Sequence, residues 1–486
     1  MQTLIVPLIP ELSVILDTTP ANASWAITAT LLAGAVATPV AGRLGDLYGK
    51  RRLLLVCTLL LTTGSVVCAV GGTLGPVIVG RTLQGLGLPV IGLGISVMRD
   101  VLPPERLGTS MALMSSSLGV GGALGLPVSS FLAEHTGWQV LFWVAAAAGA
   151  LVTVLVFLVV PESPVRAGGG FDGIGATGLV AGLLPLLLAI SKGGDWGWTA
   201  PLTLTLFASA ALILTVWGWW ELRIPSPVVD LRSTARRQVL LTNIASILIG
   251  FTMYGMSLVT PQLLQQPEAT GYGLGLSMTQ AGLWMAPGGL GMMLVAPLAA
   301  RLSGRHGARA SLLTGALVIC GGYLLALGLM SWVWGVLLFS LTVSVGVGFA
   351  FAAMPALIMA AVPVSETAAA NGLNSLARAL GTSTCSAVVG VILAHMTIPL
   401  GTTTAPSLDG LRTVLVVAAV IAAAAAATVL AIPRRTPTPT DAAAPDLQAM
   451  PSDAATPTVP AAVPAPGTAG TTPDAPTHTG KIIDAP

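Results

Sequence analysis

Charge is what this chain has least of. Asp, Glu, Lys and Arg together make up 8% of its 486 residues, while 54% are hydrophobic. A soluble domain carries roughly 25% charged residues, so a water-facing surface is excluded and the solvent is a bilayer. Histidine is almost as scarce. His135, His306, His395 and His478 are scattered and form no cluster with acids, which argues against a metal centre or a hydrolytic site and therefore against a membrane enzyme. The four cysteines, Cys57, Cys68, Cys320 and Cys385, sit inside apolar runs at no metal-ligand spacing and read as small packing residues rather than disulfide partners. No G-x-x-x-x-G-K-[ST] loop is present, so the chain does not drive itself with ATP. A net charge of +2 gives no reason to expect a nucleic-acid partner. No cofactor is implied.

What is present is a succession of apolar runs near the 20 residues that cross a bilayer as helix. They are expected at 24–44, 53–70, 74–98, around Gly119–Pro127, and at 140–160, 174–190 and 202–220. Further runs fall at 239–259, 278–300, 311–330, 334–362, 368–395 and 411–432. The run from Met1 to about Leu16 is too short and is interrupted by Pro7 and Pro10, so the expectation is that the chain begins inside its first span. From Pro433 onward Pro, Ala and Thr dominate, a composition that buries too little to fold.

One stretch organises the rest. Gly42-Arg43-Leu44-Gly45-Asp46-Leu47-Tyr48-Gly49-Lys50-Arg51-Arg52 packs four cations, one carboxylate and three glycines between two apolar runs. Pro39, Ala41, Arg43, Leu44, Gly49 and Arg51 recur at one fixed offset as Pro297, Ala299, Arg301, Leu302, Gly307 and Arg309. Such a repeat implies two homologous halves. The copy lacks the acid, since Gly304 stands where Asp46 stands.

The stretch resembles G-x-L-x-D-x-x-G-[RK]-[RK], the signature loop between helices 2 and 3 of the major facilitator superfamily. The resemblance implies an all-α integral membrane protein with that family's fold and a conformational latch at Gly42, Arg43, Asp46, Gly49, Lys50 and Arg51. Asp46 is expected to cap the following helix or to pair with an arginine across the interface. Gly80-Arg81-Thr82-Leu83-Gln84-Gly85-Leu86-Gly87 resembles the helix-4 motif tied to proton coupling, which points to Arg81 and Gln84. An arginine at membrane depth must face a polar interior and a partner, and Gln84 lies one turn on. Gly119–Pro127 resembles the helix-5 antiporter motif through Gly121, Gly125 and Pro127, although Leu126 separates Gly125 from the proline. Arg99–Arg106 reads as a polar inner loop.

The two runs between the halves, split by a Trp196-Gly197-Trp198 loop, make a 6+2+6 plan. That plan resembles the 14-helix drug:proton antiporter branch, of actinobacterial type. The domains expected are 1–161, 162–237 with the extra pair, 238–432, and a disordered cytosolic tail at 433–486. Cationic residues from Arg43 to Arg435 crowd one set of loops, against Lys192 and Arg412 on the other. This asymmetry puts both termini in the cytoplasm of a bacterial plasma membrane.

The substrate cavity is expected to be apolar, with Met111, Met114, Tyr254, Met256, Trp284 and Met285 as wall candidates, a surface suited to greasy ligands of varied shape. Arg378 is the second arginine at membrane depth, with Asn374 one turn before it to satisfy it. No Asp or Glu falls at mid-bilayer, so the proton carrier is peripheral, precedes Met1, or coupling is absent. The resulting expectation is a monomeric secondary transporter moving small lipophilic substrates against protons. Uptake or facilitated passage of one metabolite is the alternative, and a non-transporting sensor is a more distant one.

Overall fold

The computed structural model describes residues 12–23, 25–163, 166–400 and 403–433. The expected start within a first span and the tail from 434 lie outside the described residues, as does the Met111 side chain. The first helices are α1 (Leu12–Ile15), α2 (Pro20–Ala23), α3 (Trp25–Tyr48), α4 (Lys50–Val70), α5 (Leu74–Leu86), α6 (Val90–Val101), α7 (Pro104–Thr136) and α8 (Trp138–Val159). A pair follows, α9 (Gly173–Trp196) and α10 (Pro201–Glu221), and a short α11 (Leu231–Thr234). The last group is α12 (Arg237–Gln265), α13 (Met278–His306), α14 (Ala308–Leu329), α15 (Val333–Met359), α16 (Thr367–His395) and α17 (Leu408–Leu430). Among the described residues twelve helical stretches, counting α5 with α6 as one, are long and apolar enough to cross a membrane. The 33-residue α7 is a further long helix outside that count.

In a bilayer every backbone N–H and C=O must be satisfied within its own segment, so apolar runs of this length fold as helices. Three departures from the expected boundaries matter for the site. The signature stretch is not a loop: helix α3 runs on to Tyr48, and Gly49 alone turns the chain, at φ 116°. Only glycine adopts that backbone without strain. The repeat behaves the same way, with α13 running on to His306 and Gly307 turning at φ 84°. The second departure is that Arg99 and Asp100, expected in a loop, end helix α6. The third is a break at 87–89 that divides the expected fourth span into α5 and α6. Pro89, which has no N–H to donate, precedes the new helix.

Helices α3–α8 pack among themselves, chiefly α4 on α8 and α5 on α3 and α4. Helices α12–α17 do likewise, through α14 on α15 and α17, and α12 on α16. The two groups meet along two seams, α3 against α16 and α7 against α13. By the repeat α3 corresponds to α13. Helix α9 packs on α10 and covers the α3–α16 seam, where Leu32 and Val36 meet Leu179, Leu183 and Leu376. The largest core lies in the second group and includes Phe339, Tyr323 and Ile319.

A two-stranded antiparallel hairpin, β1 (Thr397–Leu400) and β2 (Thr403–Pro406), joins α16 to α17, with Thr397 opposite Pro406. The sequence pattern had offered no strand there. The Tyr272 hydroxyl, in the segment before α13, donates to the Pro406 carbonyl at 2.6 Å. Burial raises its pKa.

Candidate functional site

The α3–α16 seam carries the densest polar contacts between the groups. Asp46, 1% exposed, accepts hydrogen bonds from the backbone N–H groups of Ala369 (2.9 Å) and Ala368 (3.3 Å) in the first turn of α16. A carboxylate there meets unpaired N–H groups and the positive end of the helix dipole together. Neither expected partner is used across the interface: Asp46 meets backbone, not an arginine, and the helix it caps is α16 rather than α4. The approach is close because Gly42 lets it be. A Cβ on Gly42 would stand 2.6 Å from the Ala368 carbonyl oxygen.

Lys50 is fully buried and bridges two carboxylates, Asp100 at 2.5 Å and Asp46 at 3.4 Å. Asp100 also accepts from the Ser163 hydroxyl. Arg99, next in sequence, crosses to the second group. Its guanidinium donates to the Thr367 hydroxyl (2.5 Å) and to the carbonyls of Met359 (2.8 Å) and Val362 (3.3 Å), the latter two at the end of α15 and just beyond it. Sequence reasoning missed Arg99 and Asp100 as site residues. Their signal was an Arg-Asp pair one turn short of Pro103, which a longer helix would have turned towards the seam.

Arg43 is buried, its Nε has no hydrogen-bond partner, and it lines a cavity with Asp230, Ser233 and Glu366. Arg51 leaves the seam. It donates to the Phe157 carbonyl at 2.5 Å and stacks over that ring, so it caps the end of α8. Its repeat equivalent does the same in the second group, where Arg309 donates to the carbonyls of Val429 (3.1 Å) and Leu430 (2.6 Å) at the end of α17. Of the six residues expected to form a latch, Gly42, Arg43, Asp46 and Lys50 gather at the seam. Gly49 makes the turn, and Arg51 acts elsewhere.

Arg81 and Gln84 come together. The Arg81 Nε donates to the Ala26 carbonyl at 2.9 Å and Nη1 to the Gln84 Oε1 at 2.7 Å. The Gln84 amide nitrogen donates in turn to the Ser65 hydroxyl at 2.9 Å. This chain of hydrogen bonds joins α3, α4 and α5 in the buried interior. No carboxylate pairs with Arg81 among the described residues.

At the α7–α13 seam the buried contact is glycine on glycine, and at the exposed end the Thr279 hydroxyl donates to the Glu134 carboxylate. A Cβ on Gly289 would stand 2.4 Å from both the Gly119 carbonyl oxygen and the Ala123 nitrogen. Small residues permit this closeness between membrane helices. Gly121, singled out by the antiporter-motif resemblance, is exposed and faces open space. Gly125 and Pro127 are half-buried within α7.

Between the groups lies a second, narrow cavity, bounded by Ile91 and Ile95 of α6, Met114 of α7, Phe351, Met354 and Pro355 of α15, and a polar face of α16. That face is Asn371, Asn374, Ser375 and Arg378, at the i, i+3, i+4, i+7 spacing of one helical side. Asn374 does not satisfy Arg378. Its amide donates to the Asn243 Oδ1 (3.0 Å) and the Ser246 hydroxyl (2.6 Å) of α12 instead. Among the described side chains, Met114 is the expected wall residue found on this cavity. Tyr254, Met256, Trp284 and Met285 pack against the core of the second group. There the Ser344 hydroxyl points at the Met256 sulfur, and Trp284 meets Trp334 edge-on. Their size and flexibility marked them as cavity residues, but the same properties serve core packing.

Two repeat-related groups of apolar helices, meeting on two seams around a cavity, define a polytopic membrane protein built as a transporter. The chain belongs to the major facilitator superfamily, whose family model matches residues 1–383 and again 242–463. It is similar to the multidrug resistance protein Stp of Mycobacterium tuberculosis, at 28% identity over 76% of this chain and 68% of that protein. A protein of Streptomyces coelicolor named as a probable actinorhodin transporter is 30% identical over 76% of this chain and 65% of its own length. The human organic anion transporter MFSD10 superposes with a TM-score of 0.60 at 17% identity, over 88% of this chain and 95% of that one. At that identity the likeness speaks for the fold alone.

Proposed function

We propose that the protein is a proton-coupled exporter of lipophilic small molecules of the drug or antibiotic type, working by alternating access in a bacterial plasma membrane, as a monomer with both termini in the cytoplasm. The observation that carries the alternating-access part is the α3–α16 seam. Asp46 holds the first turn of α16 by charge, and such a contact can be broken without unfolding either group. Together with Arg99 it acts as the latch that closes the basic, cytoplasmic end. Arg81 and Gln84 form the proton-linked polar centre. The names of the relatives, multidrug resistance and actinorhodin transport, support small-molecule efflux.

The test is transport in proteoliposomes with an imposed pH gradient. Dye movement that collapses with a protonophore and is lost in Arg81→Ala supports the proposal. Dye movement indifferent to the gradient would leave a facilitator in its place.

A further inference from the structure

Two arginines sit deep in the helical bundle, and their surroundings differ in kind. Arg81 donates to two partners, the Ala26 carbonyl on another helix and the Gln84 amide oxygen one turn on in its own. A guanidinium has five N–H donors, and Arg378 places one of them, at 3.2 Å, on Ser375 of its own helix. Its other neighbour is the ring of Phe351, whose centroid lies 4.8 Å from the guanidinium carbon. No carboxylate pairs with Arg378 among the described residues, and none lines its cavity.

The helix packing builds this placement. Gly250 of α12 lets the Arg378 stem lie flat, since a Cβ there would come 3.1 Å from the Arg378 Cγ and 2.5 Å from its carbonyl oxygen. The stem is thereby clamped and the head turned to the cavity. Arg378 is half-buried, and a cation at membrane depth without a counter-charge is costly, so membrane proteins keep such groups facing a partner or a pathway. Among the described residues the wall opposite is apolar, which leaves the place of a counter-charge to a ligand.

We propose that Arg378 anchors the acidic group of the substrate, so that the cavity between the helix groups takes organic anions. The apolar body of the substrate lies against Ile91, Ile95, Met114 and Met354, and its carboxylate or sulfonate sits on the guanidinium, where a planar fork binds such oxygens pairwise. Phe351 holds the guanidinium plane from one face. In this closed form the cavity is too narrow for such a ligand, which enters when the first group draws back from α16. The inference rests on the transport function proposed above and names its substrate class.

The test starts with binding to the purified full chain, read as a shift in unfolding temperature, because binding needs no gradient. 1-Naphthylacetate and the neutral 1-naphthylacetamide share one apolar body. The acid is expected to stabilise the wild-type protein at a concentration at least about tenfold lower than the amide. That preference is expected to vanish in Arg378→Gln and to survive, weakened, in Arg378→Lys, which keeps the charge but not the fork. Equal potency of acid and amide on the wild type overturns the proposal without any variant. A preference that persists in a monodisperse Arg378→Gln protein overturns the assignment to Arg378.

Transport of radiolabelled naphthylacetate and of tetraphenylphosphonium in proteoliposomes then separates the two claims. Acid-selective binding without gradient-driven movement sinks proton-coupled export and leaves the anion site standing. Movement of tetraphenylphosphonium with no acid preference in binding does the reverse.

Discussion

The two seams between the helix groups are related by the repeat, yet they are closed by different means. At α3–α16 a carboxylate reaches across to a helix N-terminus, Arg99 reaches across to α15 and α16, and α9 lies over the outside. At α7–α13 the position of Asp46 is taken by Gly304, where a side chain would point into open space. Contact there runs through Gly119 and Gly289, and leucines such as Leu290 and Leu294 remain exposed on α13. In lipid, apolar side chains gain little by meeting each other, so helix association depends on close backbone fit or on polar contacts. The α7–α13 seam rests mainly on the first device, with one exposed polar contact where the Thr279 hydroxyl donates to Glu134, and α3–α16 adds buried polar contacts. Fit is a steep function of distance and favours a permanent contact. A charge on a helix end is a modest, breakable contribution, which suits the latch proposed for this seam.

The contrast can be broken most sharply at the glycines. Gly289→Leu is expected to be the most damaging change, costing about 3 kcal/mol or more through overpacking, with little monodisperse protein recovered by gel filtration. Gly42→Leu has a similar clash to resolve, 2.6 Å from Ala368, but can resolve it by opening the seam. It is expected to accumulate normally with the closed form lost. Equal accumulation of the two variants would dissolve the distinction between seams.

Arg99→Gln comes next. It removes charge-assisted hydrogen bonds to three acceptors and is expected to cost the closed form about 2 kcal/mol. Asp46→Asn follows at about 1–2 kcal/mol, with transport impaired and protein level in the membrane nearly unchanged. Both are read by pulsed distance measurement between spin labels at the exposed positions Tyr48 and Val364. The distance distribution should gain a longer component, and an unmoved distribution in Asp46→Asn would remove that residue from the latch.

The smallest effects belong to the pair that the repeat makes equivalent. Arg51→Gln and Arg309→Gln each strip a cap from the last helix of their group and should lower stability by about 0.5–1 kcal/mol, by similar amounts. A large disparity in unfolding temperature would show that the repeat is not energetically symmetric.

Much of the fold could be read from the chain before any coordinates. The span from Trp138 to Val159 and that from Leu408 to Leu430 fall within a few residues of their apolar runs, because an apolar run in a bilayer has no alternative to helix. The repeat was visible in Pro39/Pro297 and Gly49/Gly307, and both glycines turn the chain at positive φ. The site was half legible. The Arg81–Gln84 contact follows from helical spacing alone. Arg99 was misjudged because charge at the end of an apolar run looks like loop. Asn243 and Ser246, the partners of Asn374, were passed over although polar residues inside an apolar span are a signal of buried contact.

The sequence by itself determined where most of the long apolar helices fall, where glycine reverses the chain, and that the chain has two repeat-related halves. Each of these depends on hydrogen bonds and sterics within a few residues. Only the tertiary structure decided that Asp46 meets the first turn of a helix more than 300 residues away, that α9 shields that seam, and that Arg378 is left facing a cavity. Those outcomes depend on which helix faces which, and once the helices have formed that choice is made by close packing and polar pairing between distant segments.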